Sequence, residues 1–156
     1  MGKKVLVLAS NLGLWGEELQ APWDALKKAG FDVTLATEKG ITPLPLMLSV
    51  DKNFVDPVQQ YNVNPPEVVD RILEILKTGE WAHPIKISDA KAGDYDALAI
   101  VGGPGSPLDL VGNGKVHRLV EAFYEQGISW ARCATPWALS CGPAGRTAKA
   151  SLPARP

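Results

Sequence analysis

The chain of 156 residues holds only two cysteines and two histidines, and that scarcity excludes several classes of protein at once. Cys133 and Cys141 cannot build a disulfide framework. His83 and His117 lie far apart in sequence, and neither stands at metal-ligand spacing from a second ligand. Surface or capping roles are expected for both, and no metal or other cofactor. No apolar run approaches the roughly 18 residues that a membrane-spanning helix requires. Net charge is −1, so no global basic field points to nucleic acid or to an anionic membrane. No internal repeat is present. Met1-Gly-Lys-Lys before Val5-Leu-Val-Leu has the charged start of a signal peptide. The apolar stretch is too short, however, and Asn11, Trp15 and Glu17 interrupt it, so a first strand and a cytoplasmic protein are expected.

A second absence is local. Residues 1–129 hold all 17 acids against 12 bases, whereas residues 130–156 hold four bases and no acid. At the chain's mean density about three Asp or Glu would fall in that stretch. It also carries both cysteines, seven Ala and four Pro, without sustained apolar periodicity. Two regions follow: an α/β body over 1–129, and an atypical tail over 130–156 that is either disordered or translated out of frame.

What is present in the body alternates between strand and helix. Lys4–Ser10 is a short continuous apolar run, as in a strand buried on both faces. Glu17–Ala29 carries Leu19, Trp23, Leu26 and Ala29 as a helical stripe, closed by Gly30. Phe31–Thr37 alternates as a second strand, which completes a βαβ unit with parallel strands. Residues 38–64 form a proline-containing insertion with a short helix expected near Val55–Tyr61. Pro65-Pro66 open a helix with a wide apolar face (Val68, Val69, Ile72, Leu73, Ile75 and Leu76) that ends at Gly79. Ile85–Ile87 reads as a short strand, and Tyr95–Val101 as a strand running into Gly102-Gly-Pro-Gly105. Val116–Gln126 is a helix with Val116, Leu119, Val120 and Phe123 inward, and Ile128 begins the next strand. The fold class is α/β with an open parallel sheet.

Ligands of such sheets collect in the loops at the carboxyl ends of the strands. Three loops qualify: Asn11–Glu18, Gly102–Ser106 and the region of Cys133. Glu17 and Glu18 complement a helix N-terminus, which alone accounts for acids there. Gly-Gly-Pro-Gly lacks the Lys-Ser/Thr of a Walker motif and the spacing of a dinucleotide fingerprint, so it is weak as a phosphate loop and no nucleotide cofactor is expected. It could still present backbone N–H groups to an oxyanion.

In this order the stretches Lys4–Ser10, Gly16-Glu-Glu-Leu-Gln-Ala-Pro22, Ala29–Ala36 and Asp94–Gly105 resemble the ThiJ/PfpI superfamily over about residues 1–129. The insertion and the Asp-Tyr-Asp approach to the double glycine look most like the heat-shock chaperone/glyoxalase III branch. The resemblance implies a flavodoxin-like three-layer sandwich with a class I glutamine-amidotransferase-like fold. It also implies an acid/base at Glu18, four before Pro22, and a nucleophile at Cys133, six after Gly127. Oxyanion N–H groups would come from Gly103 and Ala134. A thiol at a helix N-terminus is partly ionised, and a carboxyl group buried beside it tends to hold its proton and can shuttle it. For this branch the implied reaction is cofactor-free conversion of a 2-oxoaldehyde such as methylglyoxal to a hydroxy acid. The alternatives are a redox-responsive chaperone and an amidase- or protease-like hydrolase. The resemblance implies a small aldehyde as partner and a homodimer in intact members.

The chain departs from that family around the nucleophile. Trp130-Ala-Arg-Cys-Ala-Thr-Pro136 replaces an apolar strand followed by small-Val-Cys-His, and no histidine follows Cys133. Written in GC-rich codons and read two bases later, Trp130–Ala138 becomes Gly-Ala-Val-Cys-His-Ala-Leu-Gly. The first Gly is forced by the codons, whereas Val and His depend on the wobble bases chosen. A frameshift near Ser129 is therefore expected, with the last strands of the sheet missing. Such a chain should expose apolar surface, aggregate or be marginally stable, show little activity, and leave residues 134–156 poorly ordered.

Overall fold

The computed structural model describes residues 2–132; the tail from Cys133 onward, with the expectations that concern it, lies outside the described residues. Strands β1 (Lys4–Leu8), β2 (Asp32–Thr37), β3 (Ile85–Lys86), β4 (Ala97–Ile100) and β5 (Ser129–Arg132) form one sheet in the order β3-β2-β1-β4-β5. Every neighbouring pair is parallel. Central β1 is Lys-Val-Leu-Val-Leu because both of its faces are covered: Val5 and Val7 enter one core, Leu6 and Leu8 the other. From Val5 to Leu8 each successive residue meets a different layer, so none of these four positions tolerates a polar group.

Helices α1 (Gly16–Lys28), α2 (Pro66–Ile75) and α3 (Gly79–Ala82) cover one face, where Leu19, Trp23, Ile75 and Trp81 pack on Val5, Val7 and Leu35. On the opposite face α5 (Gly114–Glu125) sets Val116, Leu119 and Phe123 against Leu6, Leu98 and Ile100. The short α4 (Ser106–Asp109) follows β4 directly. These are the three layers of a flavodoxin-like sandwich. The chain runs outward from β1 through β2 to β3, then crosses back to β4, so the sheet changes direction between β1 and β4. That reversal opens a crevice at the carboxyl ends of these two strands.

Several expectations need correction. No helix forms over Val55–Tyr61: the segment turns, bridged from Val55 to Asn62. The Asp56 carboxylate accepts the N–H groups of Val58 and Gln59 at 2.8 and 2.7 Å, and this local bonding outcompetes a helical turn. The helix opened by Pro65-Pro66 stops at Ile75, and Thr78 caps the separate α3 by accepting the Trp81 N–H. Its buried face is also narrower than expected, with Leu73 exposed. Ala29, counted in the α1 stripe, lies past the helix end and is exposed. Strand β5 runs across the composition seam at residue 130, pairing Leu98 with Trp130 and Ile100 with Arg132.

Candidate active site

The carboxyl ends of β1 and β4 are joined by backbone hydrogen bonds between their loops. Gly105 donates its N–H to the Gly13 carbonyl at 2.8 Å, and Trp15 donates to Gly102 at 3.4 Å. Gly103 is the pivot, with φ +130°. A Cβ there would stand 2.5 Å from the Trp15 nitrogen and 2.6 Å from Leu14 Cα, so only glycine lets the β1–α1 loop pass. Gly103 is thus explained by close packing of two loops. Its suitability as an oxyanion donor is a separate property of the same bare backbone.

That packing determines where α1 begins. Trp15 precedes the helix without a side-chain cap. The Gly16 N–H is satisfied instead by the Ser49 hydroxyl at 3.0 Å, and Ser49 in turn donates to the Leu46 carbonyl at 2.7 Å. Leu14 and Leu46 also exchange a backbone bond of 2.8 Å, which straps the insertion across the start of the helix. Glu18 therefore sits half-buried in the first turn of a helix whose start is pinned to the double-glycine loop on one side and to the insertion on the other. Glu17, beside it, is exposed. Both acids complement the helix dipole, as Lys27 and Lys28 do at the other end.

Sequence reasoning missed Ser49, Asn11 and Asp109, which hold this arrangement. Asn11 is almost fully buried; its side chain donates to the Ile41 carbonyl and accepts the Lys39 N–H, and its own N–H goes to Asp109 Oδ2 at 2.7 Å. These are isolated polar residues outside any periodic pattern, and nothing local in the sequence announces their partners 28 to 98 positions away.

Of the expected site residues, Glu18 lies in the first turn of α1, and Gly103 packs on Leu14 and Trp15, which precede that helix. Cys133 and Ala134 lie outside the described residues. The nearby hydroxyls are no substitute nucleophiles: Ser10, Ser49 and Ser106 are all buried and engaged with backbone groups. His117 Nε2 lies 2.6 Å from the Val111 carbonyl, and His83 follows α3. Among the described residues no three His, Cys, Asp or Glu side chains group as a metal ion would need. Likewise, no described helix is long and apolar enough to cross a membrane. Burial, aided by the nearby charges of Asp94 and Asp32, pushes the Tyr95 hydroxyl upward at the far, amino end of the strands. It lines a cavity of about 260 Å³ there with Lys4, Asp32 and Thr34.

Comparison with known proteins gives one family and many similar folds. A family model described as ThiJ/PfpI family-like matches residues 9–134. Among solved structures, a rapid encystment protein of Francisella tularensis is 18% identical with a TM-score of 0.69, over 88% of this chain and 61% of its own. Glyoxalase III of Candida albicans is 18% identical with a TM-score of 0.67, over 88% of this chain and 59% of its own. DJ-1beta of Drosophila melanogaster is 20% identical with a TM-score of 0.58, over 89% and 59%. At these identities the likeness concerns the fold. The chain spans about three fifths of the length of these structures. No curated protein sequence matches it.

Proposed function

The chain belongs to the ThiJ/PfpI-like family, and from that premise we propose that its parent activity is cofactor-independent conversion of 2-oxoaldehydes to 2-hydroxy acids. In this reading the Cys133 thiolate adds to the aldehyde carbon, and the carbonyl oxygen takes up a proton to give a hemithioacetal. A carboxyl group at Glu18 then moves the C1 proton to C2 while the hydroxyl proton passes from the C1 oxygen to the C2 oxygen, leaving a thioester of the hydroxy acid. Water hydrolyses the thioester and releases the thiol, so no external oxidant or reductant is consumed. N–H groups of Gly103 and Ala134 would stabilise the charge that develops on oxygen. The observation that carries the reading is Glu18, half-buried in the first turn of α1, a helix whose preceding loop is bonded to the double-glycine loop at the point where the sheet reverses. Support also comes from strand β5, which leads the chain along β4 to Arg132, the residue before Cys133. A fold similar to glyoxalase III of Candida albicans adds to it.

The residues around Cys133 differ from the family pattern, and we attribute this to a frameshift near Ser129, which would impair the activity. The decisive experiment measures lactate formed from methylglyoxal without glutathione, for this chain and for one read two bases later from codon 130. Activity is expected in the second and should fall at least a hundredfold in Glu18→Gln and in the substitution of its cysteine by serine. No lactate from the second chain would overturn the reaction. A native protein near 16.7 kDa, the mass of this sequence, would overturn the frameshift. The family resemblance also underlies our expectation of a cytoplasmic homodimer for the intact chain, checked by light scattering.

A second reading, a chaperone, is favoured by one observation. The insertion exposes Leu44, Met47 and Val58, each more than two thirds accessible. Suppression of aggregation that survives Cys133→Ala would support it over the enzyme.

A further inference from the structure

On the face of the sheet opposite α1, a groove of about 390 Å³ separates α5 from the segment between β3 and β4. Its floor is apolar: Ile87, Ala92 and Leu119 are buried there, with Ala90 and Ala122 alongside. Its rim carries three cations, Lys91, Lys115 and Arg118, and no acid lines it. This runs against the charge of the body, where acids outnumber bases by 17 to 12. Lys115 has one carboxylate in reach, Glu38 at 3.4 Å, while Lys91 and Arg118 make no salt bridge among the described residues. On the segment, Asp89 accepts the Ser88 hydroxyl at 3.0 Å. Lys115, Arg118, Leu119 and Ala122 recur at helical spacing, so α5 presents its cations and its apolar wall to the groove as one stripe.

Three cations around an apolar floor, with Glu38 beside Lys115 the one carboxylate bonded to any of them, form a complement to an amphipathic anion. A phosphate monoester carries a charge of about −1.5 to −2 at neutral pH and can take an arginine fork. The volume falls at the small end of ligand pockets, enough for a single ring or a short alkyl chain. We propose that this groove binds a small phosphate monoester with an aryl or alkyl body, its headgroup between Arg118, Lys91 and Lys115 and its body on Leu119 and Ala122. The site lies on the face of the sheet that α1 does not cover, so it stands or falls independently of the reaction proposed above.

The test titrates the full chain with phenyl phosphate and with inorganic phosphate, followed by phosphorus NMR line broadening, and with benzyl alcohol, followed by saturation transfer. Phenyl phosphate is expected to bind saturably and at least tenfold more tightly than either fragment. Arg118 is exposed, so Arg118→Gln should leave the circular dichroism spectrum unchanged and weaken phenyl phosphate at least fivefold. Ala122→Leu fills the groove without altering charge and should weaken it comparably. Raising salt from 20 to 300 mM should also weaken it several-fold. Failure of phenyl phosphate to bind would overturn the proposal. So would inorganic phosphate or benzyl alcohol binding equally well, or affinity unchanged in both variants.

Discussion

Replacing Gly103 by alanine tests the packing that joins the two loops at the crevice. The backbone there has φ +130°, a region that costs an L-residue about 1–3 kcal/mol. The added methyl would also lie 2.5 to 2.8 Å from the Trp15 nitrogen and two Leu14 backbone atoms, none of which can rotate away. Overpacking of this kind adds about 1–3 kcal/mol. Together the two effects predict a loss of about 2–6 kcal/mol, a large share of the 5–15 kcal/mol that holds an average domain. At about 3 °C per kcal/mol for a body of this size, the midpoint of thermal unfolding should fall by about 6–18 °C. Gly30→Ala supplies the control: its φ is +78°, but nothing lies within 4 Å of the added methyl. It should cost only the conformational part, about 1–2 kcal/mol. Far-UV circular dichroism melts of the wild type and both variants read the difference. If Gly103→Ala melts as Gly30→Ala does, the clash carries no energy and the close approach of the loops is not what demands glycine.

The remaining predictions concern helix caps and ion pairs. Asn113 caps α5 by accepting the Lys115 N–H at 2.9 Å, so Asn113→Ala should cost about 1 kcal/mol. Thr78→Ala should cost less, because its bond to Trp81 is 3.3 Å and α3 has only four residues; equal losses in urea titration would refute this. Hydrogen bonding from Arg71 holds the Asp24 carboxyl below its ordinary value. A depressed folded value stabilises above the unfolded pKa of about 3.9 and is lost as pH falls through the folded one. The pair is partly exposed, so wild type should exceed Arg71→Met by about 1 kcal/mol at pH 7, and the gap should close below pH 3. A gap constant from pH 7 to 2.5 would refute this assignment.

How much of this was legible in the chain depended on range. Continuous apolar runs and helical stripes are local signals, so Lys4–Leu8, Trp23 and Phe123 declared their elements and their burial directly. The βαβ order and the family pattern then led to the sheet and to the family. The sequence could not distinguish a turn from a helix near Val55, because the outcome rested on which N–H groups the Asp56 carboxylate took. Nor could it show that α1 begins against the Ser49 hydroxyl, 33 residues away, or that Gly103 is bare because Leu14 and Trp15 cross it. It gave no hint that lysines and an arginine from two separate segments share one apolar groove. Periodicity determined the elements because burial acts on every turn or pleat. Only the tertiary structure decided the crevice, because a hydrogen bond or a steric contact between distant loops leaves no period in the chain.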